Sequence, residues 1–227
     1  MAGAPLLSIE NLSISLPTAD GGRALAVRGV DIAIGEGEIV GLAGESGSGK
    51  TLSALAALGL LPSGATTGGR VVFDGRELMG EGGRGAAAVR GRDLAMVFQD
   101  PMTALHPMLS VGRQMTEHLV QHRRIGRAEA DRIAIAMLDR VRIPNPKEAM
   151  ARFPHQFSGG MRQRIAIASA LAAGPRLLIA DEPTTALDVT VQAGILRLIE
   201  NLRRELKLSV LLITHDLGVM SALADRV

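Results

Sequence analysis

Apolar positions alternate along the first part of the chain. Leu7, Ile9, Leu12, Ile14 and Leu16 follow a strand-like period that slips around Glu10-Asn11, and Val30, Ile32 and Ile34 repeat it. Pro17 to Gly22 and Gly35-Glu36-Gly37 are turn-forming stretches. Glu38 to Ala43 is an apolar strand, followed by a glycine loop and a helix-like run, Leu52 to Leu58, that Leu61-Pro62-Ser63-Gly64 ends. Arg70 to Phe73 with Asp74-Gly75 predicts a strand and turn, and Gly80 to Gly85 a flexible glycine-rich loop. Leu94 to Phe98 predicts a short buried strand closed by Gln99-Asp100-Pro101.

The spacing then becomes helical. Ser110 to Arg124 and Arg127 to Val141 predict helices, the second with Ile133, Met137, Leu138 and Val141 on one face, and Pro144 and Pro146 break the pattern. Ser158-Gly159-Gly160 caps a helix from Met161 to Ala172, and Leu177 to Ala180 is an all-apolar strand ending in Asp181-Glu182-Pro183. Asp188 caps a further helix to about Leu206. Val210 to Ile213 is a last apolar strand, followed by Thr214-His215-Asp216 and a short helix. Strands alternating with helices predict an α/β fold with a mostly parallel sheet. The expected domains are a core over 1–100 and 166–227, with an N-terminal antiparallel β subdomain, and an inserted helical block over 101–165.

Composition narrows the class. The 227 residues are 47% hydrophobic and 21% charged, enough for one sizeable domain. With no Trp, no Tyr and four Phe, the core must rest on aliphatic side chains. The net charge is +2 and no basic stripe interleaved with aromatics occurs, which argues against nucleic acid as a partner. The absence of cysteine excludes disulfides and thiolate metal sites within this chain. Met1 to Pro5 carries no secretory pattern, and no apolar run approaches the roughly 18 residues of a membrane span. A soluble protein is expected, with any membrane role exercised through a partner.

The chemistry begins at Gly44-Glu45-Ser46-Gly47-Ser48-Gly49-Lys50-Thr51, which has the spacing G-x-x-x-x-G-K-[ST] of a P-loop between strand and helix. Glycines let successive backbone N–H groups face one anion, and the helix points its positive end at the same place. Lys50 can reach the β- and γ-phosphates, and the Thr51 hydroxyl can ligate Mg²⁺. This stretch alone leaves kinase, GTPase and transport ATPase open. Asp181 and Glu182 end a buried strand at the edge that carries the P-loop in a parallel sheet. There Asp181 would hold Mg²⁺ through water and Glu182 would orient or deprotonate an attacking water. Ser158-Gly159-Gly160-Met161 at a helix start is a second array of backbone amides that suits an anion.

Together these motifs resemble the nucleotide-binding domain of ABC transporters, over nearly the whole chain and in family order. Gly44 to Thr51 matches the P-loop, Gln99 the Q-loop, Ser158 to Met161 the signature, and Asp181-Glu182 the Walker B aspartate and its adjacent glutamate. Ala186-Leu187-Asp188 matches the D-loop and His215 the H-loop. Taken singly, Gln99 and His215 would suit a strand-end amide and a loop imidazole; their order among the other motifs points to function. Val97 to Pro107 and Pro154 to Arg164 look like the ATP-binding subunits of dipeptide and oligopeptide importers, while related systems with similar segments carry nickel or glutathione.

The resemblance implies a P-loop NTPase (RecA-like) core that hydrolyses ATP with Mg²⁺ in a head-to-tail homo- or heterodimer. Lys50 and the loop Gly44, Glu45, Ser46, Gly47, Ser48 and Gly49 cradle the phosphates, and Ser158, Gly159, Gly160 and Met161 contact the ATP held by the second ATPase domain. Thr51, Gln99 and Asp181 complete the metal shell, Glu182 acts on water, His215 contacts the γ-phosphate, and Asp188 lies at the dimer seam. The implied partners are two membrane permease subunits, reached through Gln99 and the helical block, and indirectly an extracytoplasmic solute-binding protein. The implied location is peripheral, on the cytoplasmic face of the membrane.

Two departures stand out. The family commonly stacks adenine on an aromatic after the first strand, and Leu16 to Val27 contains none. Such stacking is worth about 1–3 kcal/mol per base, so aliphatic contacts are expected instead. The family also continues beyond the H-loop helix, and importers of this subgroup add a C-terminal segment, so a chain ending at Val227 is expected to be a fragment, for instance half of a fused pair. The alternative function is a soluble ABC-type ATPase acting as a mechanical switch in translation or DNA repair. Repair members carry long coiled coils and translation members a charged linker, and neither pattern occurs here.

Overall fold

The computed structural model describes residues 4–79, 84–100, 104–185 and 187–227. The chain divides into two compact units, residues 1–90 with 209–227, and residues 91–208. The helical block expected over 101–165 falls inside the second unit.

In the first unit, β1 (Leu7–Pro17) pairs antiparallel with β2 (Arg23–Ile34) on one side and with β4 (Thr66–Phe73) on the other, and β5 (Arg76–Glu77) extends β4. The slip in the alternation around Glu10-Asn11 is a β-bulge. Ile9 opposes Ile32 while Leu12 opposes Val30, and Glu10 opposes Arg70 while Ser13 opposes Gly68. One extra residue on β1 flips the phase, so Leu7, Ile9, Leu12 and Ile14 are all buried. Asn11 takes a positive φ of 48° there, and its N–H donates to Asp31 Oδ1 at 2.7 Å. On the facing strand Gly69 has φ +87°, and a Cβ on it would lie 2.3 Å from the Asn11 carbonyl oxygen. Only glycine lets β4 pass the bulge, which is why β4 starts earlier than its apolar residues suggest.

The same unit holds a parallel pair. β3 (Ile39–Ala43) lies against β8 (Ser209–Thr214), with Ile39 opposite Val210 and Ala43 opposite Thr214. Every residue of β8 is buried. Helix α1 (Lys50–Leu58) follows the glycine loop, and Gly59 ends it in the left-handed conformation, before the Leu61 to Gly64 stretch that sequence suggests. A short helix, α2 (Arg84–Val89), grows from the end of the predicted glycine loop, whose residues 80–83 lie outside the described residues.

In the second unit, β6 (Leu94–Val97) runs parallel to β7 (Leu177–Asp181), Leu94 opposite Leu177 and Val97 opposite Ala180. Helix α3 (Val111–Arg123) is capped by Ser110, whose Oγ accepts the Arg113 N–H. Helix α4 (Arg127–Arg140) buries Ala134, Met137 and Leu138. Pro146 opens a one-turn helix, α5 (Pro146–Ala149), at the first helical position, where its missing N–H costs nothing. Helix α6 (Gly159–Ala172) packs against α3 and α4 and buries Ile165, Ala168 and Leu171, and α7 (Val189–Leu206) buries Ile195, Leu198, Ile199 and Leu202. Helix α8 (Leu217–Leu223) belongs to the first unit, where Met220 covers Gly41 of β3. The cores are aliphatic, and Phe73 and Phe157 are the buried phenylalanines.

Candidate nucleotide-binding and hydrolytic site

In the first unit the parallel pairing of β3 with β8 brings two predicted motifs to one edge. Ala43 opposes Thr214, so the loop from Gly44 and the loop carrying His215 leave neighbouring strand ends. The glycine loop curls tightly, with the Ser48 N–H donating to the Glu45 carbonyl at 3.2 Å. Gly49 precedes α1 with φ 92° and ψ 4°, and a Cβ there would sit 2.8 Å from Val27 Cγ2. Lys50 is 8% exposed, and its Nζ donates to the carbonyls of Gly44 at 2.8 Å and Glu45 at 2.6 Å and to Ser48 Oγ at 3.3 Å. The loop thus folds back on its own ammonium, holding a positive charge at the start of a helix. Thr51 is exposed in the first turn of α1, and His215 is exposed next to Asp216, whose Oδ1 caps α8.

In the second unit the parallel pairing of β6 with β7 gathers a different set. Asp181, 4% exposed, ends β7, and Glu182 follows with a positive φ of 44°. Gln99, just beyond β6, donates through Nε2 to Glu182 Oε2 at 2.9 Å. Thr185 Oγ1 donates to the same oxygen at 2.9 Å, and the Thr185 N–H donates to the Glu182 carbonyl at 3.1 Å. The carboxylate is therefore aimed by two side-chain donors. The Gln99 amide spends its nitrogen on Glu182, which leaves its Oε1 as a potential oxygen ligand. Thr185 is not among the residues that the sequence singles out.

The other predicted residues act as helix caps in this state. Ser158 Oγ accepts the Met161 N–H at 3.4 Å at the start of α6, and Asp188 Oδ1 accepts the Val191 N–H at 3.0 Å at the start of α7. The two helix starts touch: a Cβ on Gly160 would fall 2.6 Å from Val191 Cγ1. Gly159 is exposed and Leu187 half-buried, while Ala186 lies outside the described residues. Of the importer-like segment, Pro101, Met102 and Thr103 are likewise outside them. Gln114 holds the segment's end, accepting the His106 N–H at 2.8 Å and donating to the carbonyls of His106 at 3.0 Å and Leu109 at 2.8 Å.

Each unit offers oxygen donors of the kind a hard divalent cation prefers: the Thr51 hydroxyl in the first, and the Gln99 carbonyl and the Asp181 carboxylate in the second. Among the described residues no group of three or more His, Cys, Asp or Glu is placed to hold a metal ion.

These features define the ATP-binding cassette class, and comparison with known proteins agrees. The family model described as ABC transporter matches residues 27–185. The chain is 47% identical over 224 residues to the oligopeptide transport ATP-binding protein OppD of Bacillus subtilis, covering 98% of this chain and 62% of that protein. It is 49% identical over 224 residues to the dipeptide transport ATP-binding protein DppD of the same organism, covering 98% of this chain and 67% of that one. The fold resembles a dimeric bacterial ABC transporter cassette with a TM-score of 0.79 at 28% identity, over 94% of this chain and 89% of that one. It also resembles cbiO1 of Clostridium perfringens, part of an ABC transporter complex, with a TM-score of 0.77 at 26% identity, over 98% of this chain and 83% of that one. The chain belongs to the ABC transporter family. It spans about two thirds of the length of these curated relatives, 62% of OppD and 67% of DppD. Among the described residues no helix is long and apolar enough to cross a membrane.

Proposed function

We propose that this chain binds and hydrolyses ATP and powers a membrane importer of dipeptides or oligopeptides from the cytoplasmic face. The observation that carries the hydrolytic reading is the Glu182 carboxylate, held by Gln99 and Thr185 beside the buried Asp181. A carboxylate oriented by an amide and a hydroxyl donor keeps its capacity to accept a proton from water.

The residues divide the work. Lys50 exchanges its loop carbonyls for phosphate oxygens, and the backbone amides of Gly44 to Thr51 turn toward the same anion. Thr51, Gln99 and Asp181 would hold Mg²⁺, which when bound would supply positive charge to the phosphate oxygens. Glu182 orients the attacking water and takes its proton, and His215 hydrogen-bonds the γ-phosphate. Ser158, Gly159, Gly160 and Met161 present helix α6 to the ATP held by a second ATPase domain, with Asp188 at the seam. Two positive helix ends and a lysine then share one triphosphate. Binding favours the closed dimer, and loss of the bridging γ-phosphate releases it. The importer assignment, with two permease subunits and an external binding protein, draws on the peptide-transport names of the relatives.

Sedimentation with and without ATP tests the dimer, and steady-state hydrolysis against chain concentration tests the shared site. Turnover per chain should rise with concentration as the dimer forms. Full turnover from a proven monomer would reject the shared site. Co-purification of permease subunits, with hydrolysis stimulated by a peptide-loaded binding protein, tests the importer role; ribosomes or DNA in their place would reject it.

A further inference from the structure

Helix α6 carries a glutamine whose placement the roles above leave unused. Gln163 is 0% exposed, one turn after the Ser158 cap. Its Nε2 donates to the Pro183 carbonyl at 2.7 Å, in the turn directly after Glu182. A carbonyl can only accept, so this contact sets which end of the amide is nitrogen. The other end, Oε1, is buried with no hydrogen-bond partner among the described residues. Interiors rarely tolerate such an atom, because its desolvation goes uncompensated. Packing alone would favour an apolar side chain of similar length.

What Gln163 holds is a strained turn. Glu182 has φ 44°, a left-handed conformation that disfavours any residue with a Cβ. Around it, Gln192 of α7 donates through Nε2 to the carbonyls of Thr184 at 3.2 Å and Leu187 at 3.1 Å. Two glutamines from two helices thus fasten the backbone between Glu182 and Asp188, and Gln163 grips the residue adjacent to the carboxylate.

We propose that Gln163 is a positioning residue for hydrolysis: through the Pro183 carbonyl it ties the start of helix α6 to the turn that aims Glu182. This rests on the ATPase reading above and deepens it. On that reading α6 touches the ATP of the second domain while Glu182 serves the chain's own. Gln163 then links the state of one site to the geometry of the other.

The test uses the full chain with two substitutions. Gln163→Met keeps length and volume, and exchanges one buried orphan for another by freeing the Pro183 carbonyl. Its melting temperature and ATP affinity should stay close to those of the unaltered chain while kcat falls at least ten-fold and KM for ATP moves less than three-fold. A folded Gln163→Met with kcat within two-fold of the unaltered chain overturns the proposal. Gln163→Glu provides a second readout, because only its protonated carboxyl can donate to Pro183. Its kcat, divided by that of the unaltered chain, should rise as pH falls from about 8 to about 6, since burial raises a carboxyl pKa. Arg162 and Arg164 on α6, Asp181 and Glu182 on the turn and Asp188 at the start of α7 are common to both proteins, so the ratio isolates position 163. A flat ratio also overturns the proposal. If the unaltered chain does not hydrolyse ATP at any concentration, the ATPase reading itself fails, and this inference with it.

Discussion

Replacing Glu182 by glutamine separates aiming from chemistry. In the native turn one carboxylate oxygen accepts from Gln99 Nε2 and Thr185 Oγ1, both at 2.9 Å. An amide at 182 can turn its own oxygen toward both donors, so the contacts survive without the charge. Hydrogen bonds to a charged group contribute about 1.5–3 kcal/mol and neutral ones about 0.5–1.5. The turn therefore loses on the order of 1 kcal/mol per bond, too little to unfold a domain of this size. The lost proton acceptor weighs more. General-base catalysis contributes roughly 10²–10⁴-fold, which at 1.36 kcal/mol per decade is about 3–5 kcal/mol of barrier. Glu182→Gln should thus melt near the native temperature, bind ATP with affinity within a few-fold, and turn over at least about 100-fold more slowly. Calorimetric titration with ATP and single-turnover hydrolysis measure the two arms, and sedimentation should show the ATP-bound dimer accumulating. Hydrolysis within three-fold of native would refute Glu182 as the essential base. Loss of ATP binding would refute the claim that the change is confined to chemistry.

Other outcomes follow from the same geometry. Lys50→Ala removes the ammonium that the loop now holds at 2.6–3.3 Å, and charge-assisted bonds of about 1.5–3 kcal/mol imply ATP affinity weakened by about 10–100-fold; an unchanged dissociation constant would contradict the cradle. Gly69→Ala forces a Cβ to 2.3 Å from the Asn11 carbonyl oxygen at φ +87°, so urea denaturation should register a loss of about 2–5 kcal/mol from strain and overpacking together; a loss below about 0.5 kcal/mol would mean that the bulge relaxes freely. His118 on α3 has its pKa lowered chiefly by burial and also by neighbouring His122, against opposing backbone contacts at Gln114 and Ser169. The unfolded chain then binds the proton more readily, so this residue's contribution to stability is lost as pH falls below about 6.5 toward the folded value. His118→Gln should flatten the melting temperature between about pH 6.5 and pH 5, and parallel curves for the two proteins would refute it.

The fold was legible wherever apolar periodicity met a turn signal. The phase slip at Glu10-Asn11 correctly marks an irregularity, and the pairing of β1 with two strands shows it to be a one-residue bulge. The strand predicted over Arg70 to Phe73 stops short of Gly68 and Gly69, because glycine carries no periodicity, yet the bulge requires Gly69 inside a strand. Pro146 reads as a breaker because proline cannot continue a helix; at the first position it starts one. Loops with glycine, lysine or paired carboxylates after apolar strands point through residue type to the chemistry proposed for them. Gln163, Gln192 and Thr185 gave no such signal, since a lone glutamine in a helix ordinarily faces water. Only burial and a specified acceptor separate Gln163 from a surface residue.

That distinction bears on how the turn after β7 works. A strand whose residues are all buried must hand its last carboxylate to an active edge within one or two residues. Asp181 can do so in extended conformation, but the next side chain would then point to the opposite face of the sheet. The positive φ at Glu182 ends that alternation and turns the second carboxylate toward Gln99. A left-handed non-glycine residue costs on the order of 1–3 kcal/mol, and glycine, which would remove the strain, has no carboxylate. The strain must therefore be offset by neighbours. The bonds from Gln99 and Thr185 to the carboxylate contribute about 1.5–3 kcal/mol each, and those from the Thr185 N–H to the Glu182 carbonyl and from Gln163 to Pro183 about 0.5–1.5 kcal/mol each, together of sufficient size. Of these, only the Gln163 bond comes from the helix whose start the proposed dimer places on a second nucleotide. A change at that helix start can reach the aim of Glu182 by the shortest route there, one side chain and one backbone carbonyl.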